Sequence, residues 1–272
     1  MRYIKVYFHF LAQHLKSLME YRVDFFIGIL SFVFTQAAGI IFLEVLVKTT
    51  GILNWNYYEL LVIYGLFQIP RGLDHLFTDN LWLISRYVRM GLFDKYLIKP
   101  VNVLFHIIAE RFQPEAFGEL IVGIFVLALA LPKLAIEVTF GKIIYLIIFI
   151  IIGAVIYTSI KLITSSLAFW TKDSQPIVSV TYNVATFTKN PIEIYPAPIR
   201  FLLVYVLPFG FTSYFPSVYI LNKMEGNFGL DWILVKTPAG LLIQALITCL
   251  LFVGISLTVW NAGLRNYESA GS

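Results

Sequence analysis

Few residues in this chain are of types that do chemistry, and their spacing restricts what they can do. Glu115 and Glu119 lie four apart, so both carboxylates fall on one helical face. Within a membrane such a pair is a shared acid site or a proton relay. At the membrane edge it is a surface pair, with Arg111 four residues before Glu115 as its ionic partner. The four histidines, His9, His14, His75 and His106, are scattered and lack the H-E-x-x-H spacing of a helical zinc site. Cys249 is the only cysteine, which excludes internal disulfides and sites built on paired cysteines. No G-x-S-x-G element presents a serine nucleophile. The nearest approach to a phosphate loop, TFGKII at 139–144, lacks the first glycine and the hydroxyl residue of G-x-x-x-x-G-K-[ST]. No cofactor or metal is therefore expected in this chain, and any energy from ATP must come through a partner.

The elements that would position these residues are apolar. Of the 272 residues, 59% are hydrophobic and 13% charged, where a soluble domain carries about 25% charged residues. Such a chain needs lipid as its solvent, and its net charge of +4 reflects membrane orientation and not a nucleic-acid partner. The expected class is an all-α integral membrane protein forming one transmembrane domain over 1–272. Long apolar runs fall at about 23–47, 57–77, 112–131, 141–170 and 238–262, each near the roughly 20 residues that a span requires. The first twenty residues show no apolar core and cleavage site of a signal peptide. They show an amphipathic pattern over 1–22, with Ile4, Tyr7, Phe8, Leu11, Leu15 and Leu18 on one face and Lys5, His9, Gln13, Lys16 and Glu20 on the other, as an interface helix has.

Between the fourth and last runs, 174–221 admits two readings. Hydropathy selects 198–221 as a span, yet Pro208 and Pro216 interrupt it. The alternative places the span at 174–190 and folds 194–221 back as a broken re-entrant pair, which needs shelter by protein or a water-filled cavity. The segment 174–190 is polar for a span. Its Ser179, Tyr182, Asn183 and Thr186 are expected to face a conduit or a partner subunit, not lipid. With the N-terminus inside, thirteen Lys and Arg fall on cytoplasmic segments, five on external ones, and Lys189 and Arg200 stay unassigned. That bias puts both termini in the cytoplasm and requires an even number of spans, six. Lys161, deep in the fourth run, is expected to snorkel to the cytoplasmic edge. Trp55, Tyr57, Tyr58, Tyr214, Tyr219 and Trp232 suit an outer aromatic belt.

One cytoplasmic connection concentrates charge. RYVRMGLFDKYLIKP, 86–100, holds Arg86, Arg89, Lys95, Lys99 and Asp94. Asp79 is placed to cap a helix through Leu81–Met90 that Gly91 ends. Trp82, Ser85 and Arg89 share one face of it, and Leu81, Ile84 and Val88 another. A short amphipathic helix with a charged tip suits docking; the charges would also enforce orientation by themselves.

GLFDKYLIKPVNVL after that helix resembles the first cytoplasmic loop of type-2 ATP-binding-cassette (ABC) exporter permeases of bacteria. NPIEIYPAPIRFLLVYVLPFGFTSYFP resembles their proline-broken outer segment, and WNAGLRNYESAGS the end of one bacterial subfamily. The resemblance implies six transmembrane helices in the bacterial inner membrane: spans one and two within 23–77, a coupling region at 79–100, spans three to five within 101–190, a re-entrant segment at 194–221 holding Pro196, Pro198, Pro208 and Pro216, and span six at 238–262. It favours 174–190 as span five. It implies docking of a separate ABC ATPase, carrying ATP and magnesium, on a coupling unit of Asp79–Met90, including Trp82, Arg86 and Arg89, followed by Gly91, Leu92, Asp94, Lys95, Tyr96, Lys99 and Pro100. A second permease subunit, identical or paralogous, would complete the conduit. Two other readings are a membrane-embedded lipid-modifying enzyme, for which no convergent nucleophile, base or ligand set is visible, and a non-transporting assembly or sensory subunit. The substrate is not legible in the sequence.

Overall fold

The computed structural model of the chain describes residues 7, 10, 12, 13, 16, 20, 22–50, 55–114, 116–137, 139–224 and 237–269. Every regular element among the described residues is a helix. In order it comprises α1 (Arg22–Thr50), α2 (Tyr57–Thr78), a 3-10 turn Asp79–Leu83, α3 (Ile84–Arg89), α4 (Asp94–Leu97), α5 (Val103–Glu110) and α6 (Ala116–Ala130). There follow α7 (Phe140–Ser166), α8 (Ala168–Thr171), α9 (Gln175–Ala185) extended by a 3-10 turn Thr186–Lys189, α10 (Ala197–Phe201), α11 (Tyr214–Ile220) and α12 (Pro238–Arg265). The amphipathic pattern over 1–22 falls mostly outside the described residues, as do Glu115 and Trp232. Of the N-terminal segment, Phe10 stacks on His106 at 5.7 Å.

Four helices among the described residues are long and apolar enough to cross a membrane: Phe25–Val45, Ala116–Lys133, Phe140–Thr171 and Pro238–Arg265. A bent pair, Ala197–Val206 with Phe209–Ile220, turns by 76° and brings the number to five if it is one span. Large apolar side chains such as Phe34, Phe125, Ile147 and Leu250 stand exposed on these helices, as lipid-facing surface must.

The centre of the fold is α2. Asn56 and Glu59 form a reciprocal capping box that fixes its start, with Asn56 Oδ1 accepting from the Glu59 amide at 2.9 Å and Glu59 Oε2 from the Asn56 amide at 2.8 Å. Residues 60–70 are buried without a break. The helix packs against α6, α7, α11 and the 3-10 turn after α9. Against α6 the contact is made by Gly65 and Gly123: a side chain at Gly65 would lie 3.0 Å from the Gly123 carbonyl oxygen, so only glycine lets the backbones meet. Helix α1 packs on α6 and α2.

Local signals set the other boundaries. Thr139 Oγ1 accepts from the Lys142 amide at 3.4 Å, so TFGKII is the capped start of α7. Thr237 caps α12, with Pro238 at its first position. The four prolines of 194–221 act by position. Pro196 caps α10 with Pro198 in its first turn, Pro208 sits at the bend, and Pro216 lies buried in the first turn of α11. In the run over 112–131 the helix α6 starts at Ala116, after the preceding helix ends at Arg111 in extended backbone.

Two sequence expectations fail in the core. Trp55 and Tyr214 are buried, 4% and 0% exposed, so neither belongs to a surface belt. Both donate to Glu193, Trp55 Nε1 to Oε2 at 3.0 Å and Tyr214 Oη to Oε1 at 2.8 Å; indole and phenol groups enter a core where their donors find an acceptor.

Candidate functional site

The charged connection is a compact unit built on a second apolar core. Leu81, Ile84, Val88, Phe93 and Tyr96 are buried with Leu162 and Phe169 from the end of α7 and from α8, and with Trp260 near the end of α12. The Phe93 ring lies 5.0 Å from that of Phe169 and 6.3 Å from that of Trp260. Asp79 does not cap this helix. It opens a 3-10 turn, the cap position of α3 falls at Leu83, and the Asp79 carboxylate lies 3.5 Å from Arg111. Arg111 also donates to Gln113 at 3.1 Å. Gly91 ends the unit in the left-handed region, φ 69°, which a side chain resists.

Polar bonds fix the unit to its surroundings. Ser85 Oγ donates to Asp173 at 2.7 Å and Arg89 pairs with Asp173 at 3.1 Å. The Ser85 bond first, then the Gln175 amide, holds the Asp173 carboxyl below its usual range. Lys95 donates to Glu110 at 3.0 Å, and the Tyr96 hydroxyl donates to the other oxygen. Burial alone would raise the Glu110 carboxyl, but these two bonds bring it below its usual range. Lys99 Nζ lies 3.3 Å from His106 Nε2, and burial together with that cation holds His106 below the usual histidine value. Asp94 accepts from Tyr267 at 2.9 Å and Ser269 at 2.6 Å, which fastens the chain after α12 to this loop. Burial and that bond push the Tyr267 phenol up to about 12.

What remains outside is basic and apolar: Arg86, Arg89, Met90, Leu92, Ile98, Lys99 and Pro100 are all exposed. Beside it a cleft of about 450 Å³ is lined by Ser85, Arg86, Arg89, Asp173, Gln175 and Ser179. Trp82 lies apart from that surface, half-buried with its ring 4.7 Å from Tyr182.

Directly beneath the unit lies a buried ionic network. Asp74 and Lys161 pair at 2.8 Å, and both side chains are fully buried. Lys161 therefore does not snorkel: it reaches across to α2, where a carboxylate compensates the charge that a lipid path to the edge would have exposed. Thr78 Oγ1 and Thr158 Oγ1 donate to Asp74 at 2.7 and 2.8 Å, and the Tyr182 hydroxyl donates to its second oxygen. Lys161 also donates to Thr78 Oγ1 at 3.2 Å. One aspartate thus joins α2, α7 and α9. Glu119, expected at the membrane edge, is also buried; it bonds His75 at 2.8 Å and lies 3.9 Å from Arg71. The pairing of Arg111 with Glu115 lies outside the described residues.

These groups continue a polar stripe on α2. Tyr64, Gln68, Arg71 and His75 recur at helical spacing on one face. Gln36 of α1 accepts from both Tyr64 and Gln68. Facing the stripe, α9 and its 3-10 extension present Tyr182, Thr186 and Lys189, also at helical spacing. The Tyr182 ring stacks on His75 at 5.5 Å, and Lys189 Nζ lies over the rings of Phe67 and Tyr64 at 5.2 and 6.0 Å. Thr186 Oγ1 donates to the Asn183 carbonyl at 2.6 Å, and Asn183 is exposed.

Of the residues singled out in the sequence, Tyr182 lies inside the network and Ser179 opens into the cleft beside Arg86. Asp74, Gln68 and Arg71 carry no site expectation from the sequence, His75 is read there as one of four scattered histidines, and Lys161 as a snorkelling lysine. Their signal was the recurrence of polar residues every three or four positions inside an apolar run, together with a lysine far from either end of a long apolar run. Among the described residues no group of three or more His, Cys, Asp and Glu is placed to hold a metal ion.

No curated protein and no solved structure matches the chain. A family model does, that of the ABC-2 family transporter proteins, over residues 32–271. The match takes in the stripe, the network and the short-helix unit alike, and the chain belongs to this family, as a permease component of a type-2 ABC transporter.

Proposed function

We propose that the chain is the permease of an ATP-driven exporter in a bacterial inner membrane, with both termini in the cytoplasm. Family membership implies partnership with an ABC ATPase, which would bind ATP and magnesium. A second permease subunit, identical or paralogous, would close the conduit within the lipid. The chain would cross the membrane six times, by α1, α2, α6, α7, the 174–190 segment and α12, with 194–221 folded back on the outer side. In this reading α2 joins the spans despite its polar stripe, because Gln68, Arg71, Asp74 and His75 face protein or the path and not lipid. The 174–190 segment, 11 α-helical and 4 3-10 residues, is about 25 Å long at roughly 1.5 and 2.0 Å per residue. That is short for a bilayer core of about 30 Å, so it would cross where neighbours and the folded-back pair shield its end.

The observation that carries this reading is the surface at 86–100. Its exposed Arg86, Arg89, Met90, Leu92, Ile98 and Lys99 stand on a rigid apolar base, joined to the helices of the proposed path by Trp82 and the Asp74 network. An apolar patch rimmed by cations fits a partner groove better than solvent. The test is capture of the tagged chain from its own membrane, with ATP hydrolysis measured on the eluate. A stoichiometric ATPase is expected, and Arg86→Glu with Arg89→Glu and Lys99→Glu should abolish its recovery while leaving the chain folded. Recovery unaffected by the triple substitution, or no hydrolysis in the wild-type eluate, refutes the assignment.

A further inference from the structure

The proposed path carries surplus positive charge. Arg71 of the stripe and Lys189 of the facing segment both lie over the Phe67 ring, at 5.5 and 5.2 Å, and the carboxylate that acts on both is Glu119. Glu119 is already bonded to His75 at 2.8 Å and stands 3.9 Å from Arg71. Lys189 makes no ion pair among the described residues; its ammonium rests on the faces of Phe67 and Tyr64. Arg71 lies over Phe67 at 5.5 Å, and its Nε has no hydrogen-bond acceptor although the side chain is 23% exposed. Cations held on ring faces keep their N–H donors free. Lys189, half-buried and without a counter-ion among the described residues, is costly inside a membrane, and Arg71 has only the Glu119 oxygen at 3.9 Å, beyond hydrogen-bond reach. An arriving anion would remove that cost, and a guanidinium can engage two of its oxygens at once.

We propose that Arg71 and Lys189 form an anion subsite, and that the substrate carries a carboxylate, phosphate or sulfonate group that passes between them. The substrate class rests on the permease reading above; the subsite itself does not. The test uses the full chain in phosphatidylcholine nanodiscs and two probes of matched shape, naphthalene-2-sulfonate and 2-naphthyl-trimethylammonium. Binding is followed by calorimetric titration against empty discs. The sulfonate should bind at least ten-fold more tightly than the ammonium. Arg71→Gln and Lys189→Gln should each weaken the sulfonate about ten-fold, the scale of one charge-assisted bond, while Lys189→Arg retains it. Equal or tighter binding of the ammonium, no binding of the sulfonate to the wild type, or Lys189→Arg behaving as Lys189→Gln would overturn the proposal. Competition by phosphatidylglycerol added to the discs would identify an anionic lipid headgroup as the occupant; indifference to it would identify a water-borne anion. An ATPase recovered with a chain that shows no sulfonate preference would sink the subsite alone. A sulfonate preference in a chain that recovers no ATPase would sink the permease reading alone.

Discussion

Substituting Lys161 and Asp74 singly and together tests whether the buried pair holds the three helices together. The two charges lie 2.8 Å apart with no exposure on either side. Removing one partner leaves the other buried and uncompensated, which costs roughly 3–5 kcal/mol, whereas replacing both by neutral groups of similar size is near neutral. The partners differ in what remains. Without Lys161, Asp74 keeps three hydroxyl donors, from Thr78, Thr158 and Tyr182. Without the Asp74 charge, Lys161 keeps Thr78, at 3.2 Å to its hydroxyl and 3.5 Å to its carbonyl, and the face of the Tyr182 ring at 5.5 Å, but no anion. Asp74→Asn is therefore expected to be the more damaging, and Lys161→Met with Asp74→Asn to recover most of the loss, since the asparagine oxygen still accepts from Thr78 and Thr158 and its NH2 can donate to the Tyr182 oxygen. At about 2–4 °C per kcal/mol for a chain of this size, the single variants should melt roughly 6–20 °C lower. Cys249 supplies the assay: it is the only cysteine and is buried, 8% exposed, so labelling by a thiol-reactive fluorophore on heating reports unfolding. Single variants within about 2 °C of wild type, or a double variant worse than the sum of the singles, would show that the pair does not join the helices.

Two further outcomes are expected. Gly91→Ala forces a side chain into φ 69° at a cost of about 1–2 kcal/mol, and Gly91→Asn, which tolerates that region, should lose less; equal melting of glycine and alanine forms would remove the reason for glycine there. Just before the folded-back segment, burial raises the Glu193 carboxyl above its usual value, against the opposing bonds from Tyr214 and Trp55. A raised carboxyl stabilises the fold most below its unfolded value, near 4.3, and that contribution is lost as pH rises through the folded value. Glu193→Gln should therefore flatten the fall in melting temperature across this window, read from tryptophan fluorescence; parallel curves for the two proteins would contradict it.

The sequence shows the apolar helices because lipid exposure demands uninterrupted runs, and it shows Gly91 and the four prolines because backbone geometry is local. It conceals the network because the bonds that join its helices cross the chain: Asp74 to Thr158, Lys161 and Tyr182 are separations of 84 to 108 residues. Arg71 and Lys161 count equally toward orientation in a tally of charges, yet one lies on the stripe and the other is sealed in the core. Trp55 and Tyr214 resemble belt residues by type and position, and only the acceptor on Glu193 reveals why they are inside. Helical spacing on α2 was available: Gln68, Arg71 and His75 repeat at three and four. That regularity distinguishes a polar face from scattered orientation charges.

The position of the network has a mechanical consequence. Thr78 is the last residue of α2, and Asp79 is the first of the turn that carries the exposed surface. Lys161 holds Thr78 and Asp74 together on that final turn, Thr158 adds a second point on α7, and Tyr182 extends the bond to α9. Trp82, inside the turn itself, packs on the same Tyr182 ring. A partner that moves the 79–89 unit must then move Tyr182 with it or separate a fully buried ion pair, which is the costlier course. Tyr182 also stacks on His75, in the stripe that faces Lys189. The exposed surface at Arg86 and Arg89 is thus joined to the polar face of α2 by a short series of contacts, through Trp82, Tyr182 and His75. In the double variant Lys161→Met with Asp74→Asn, stability is largely restored but the ionic part of that connection is gone. ATP hydrolysis without transport in that variant would place coupling in the pair, and transport at the wild-type ratio to hydrolysis would place it in the packing of Trp82 on Tyr182.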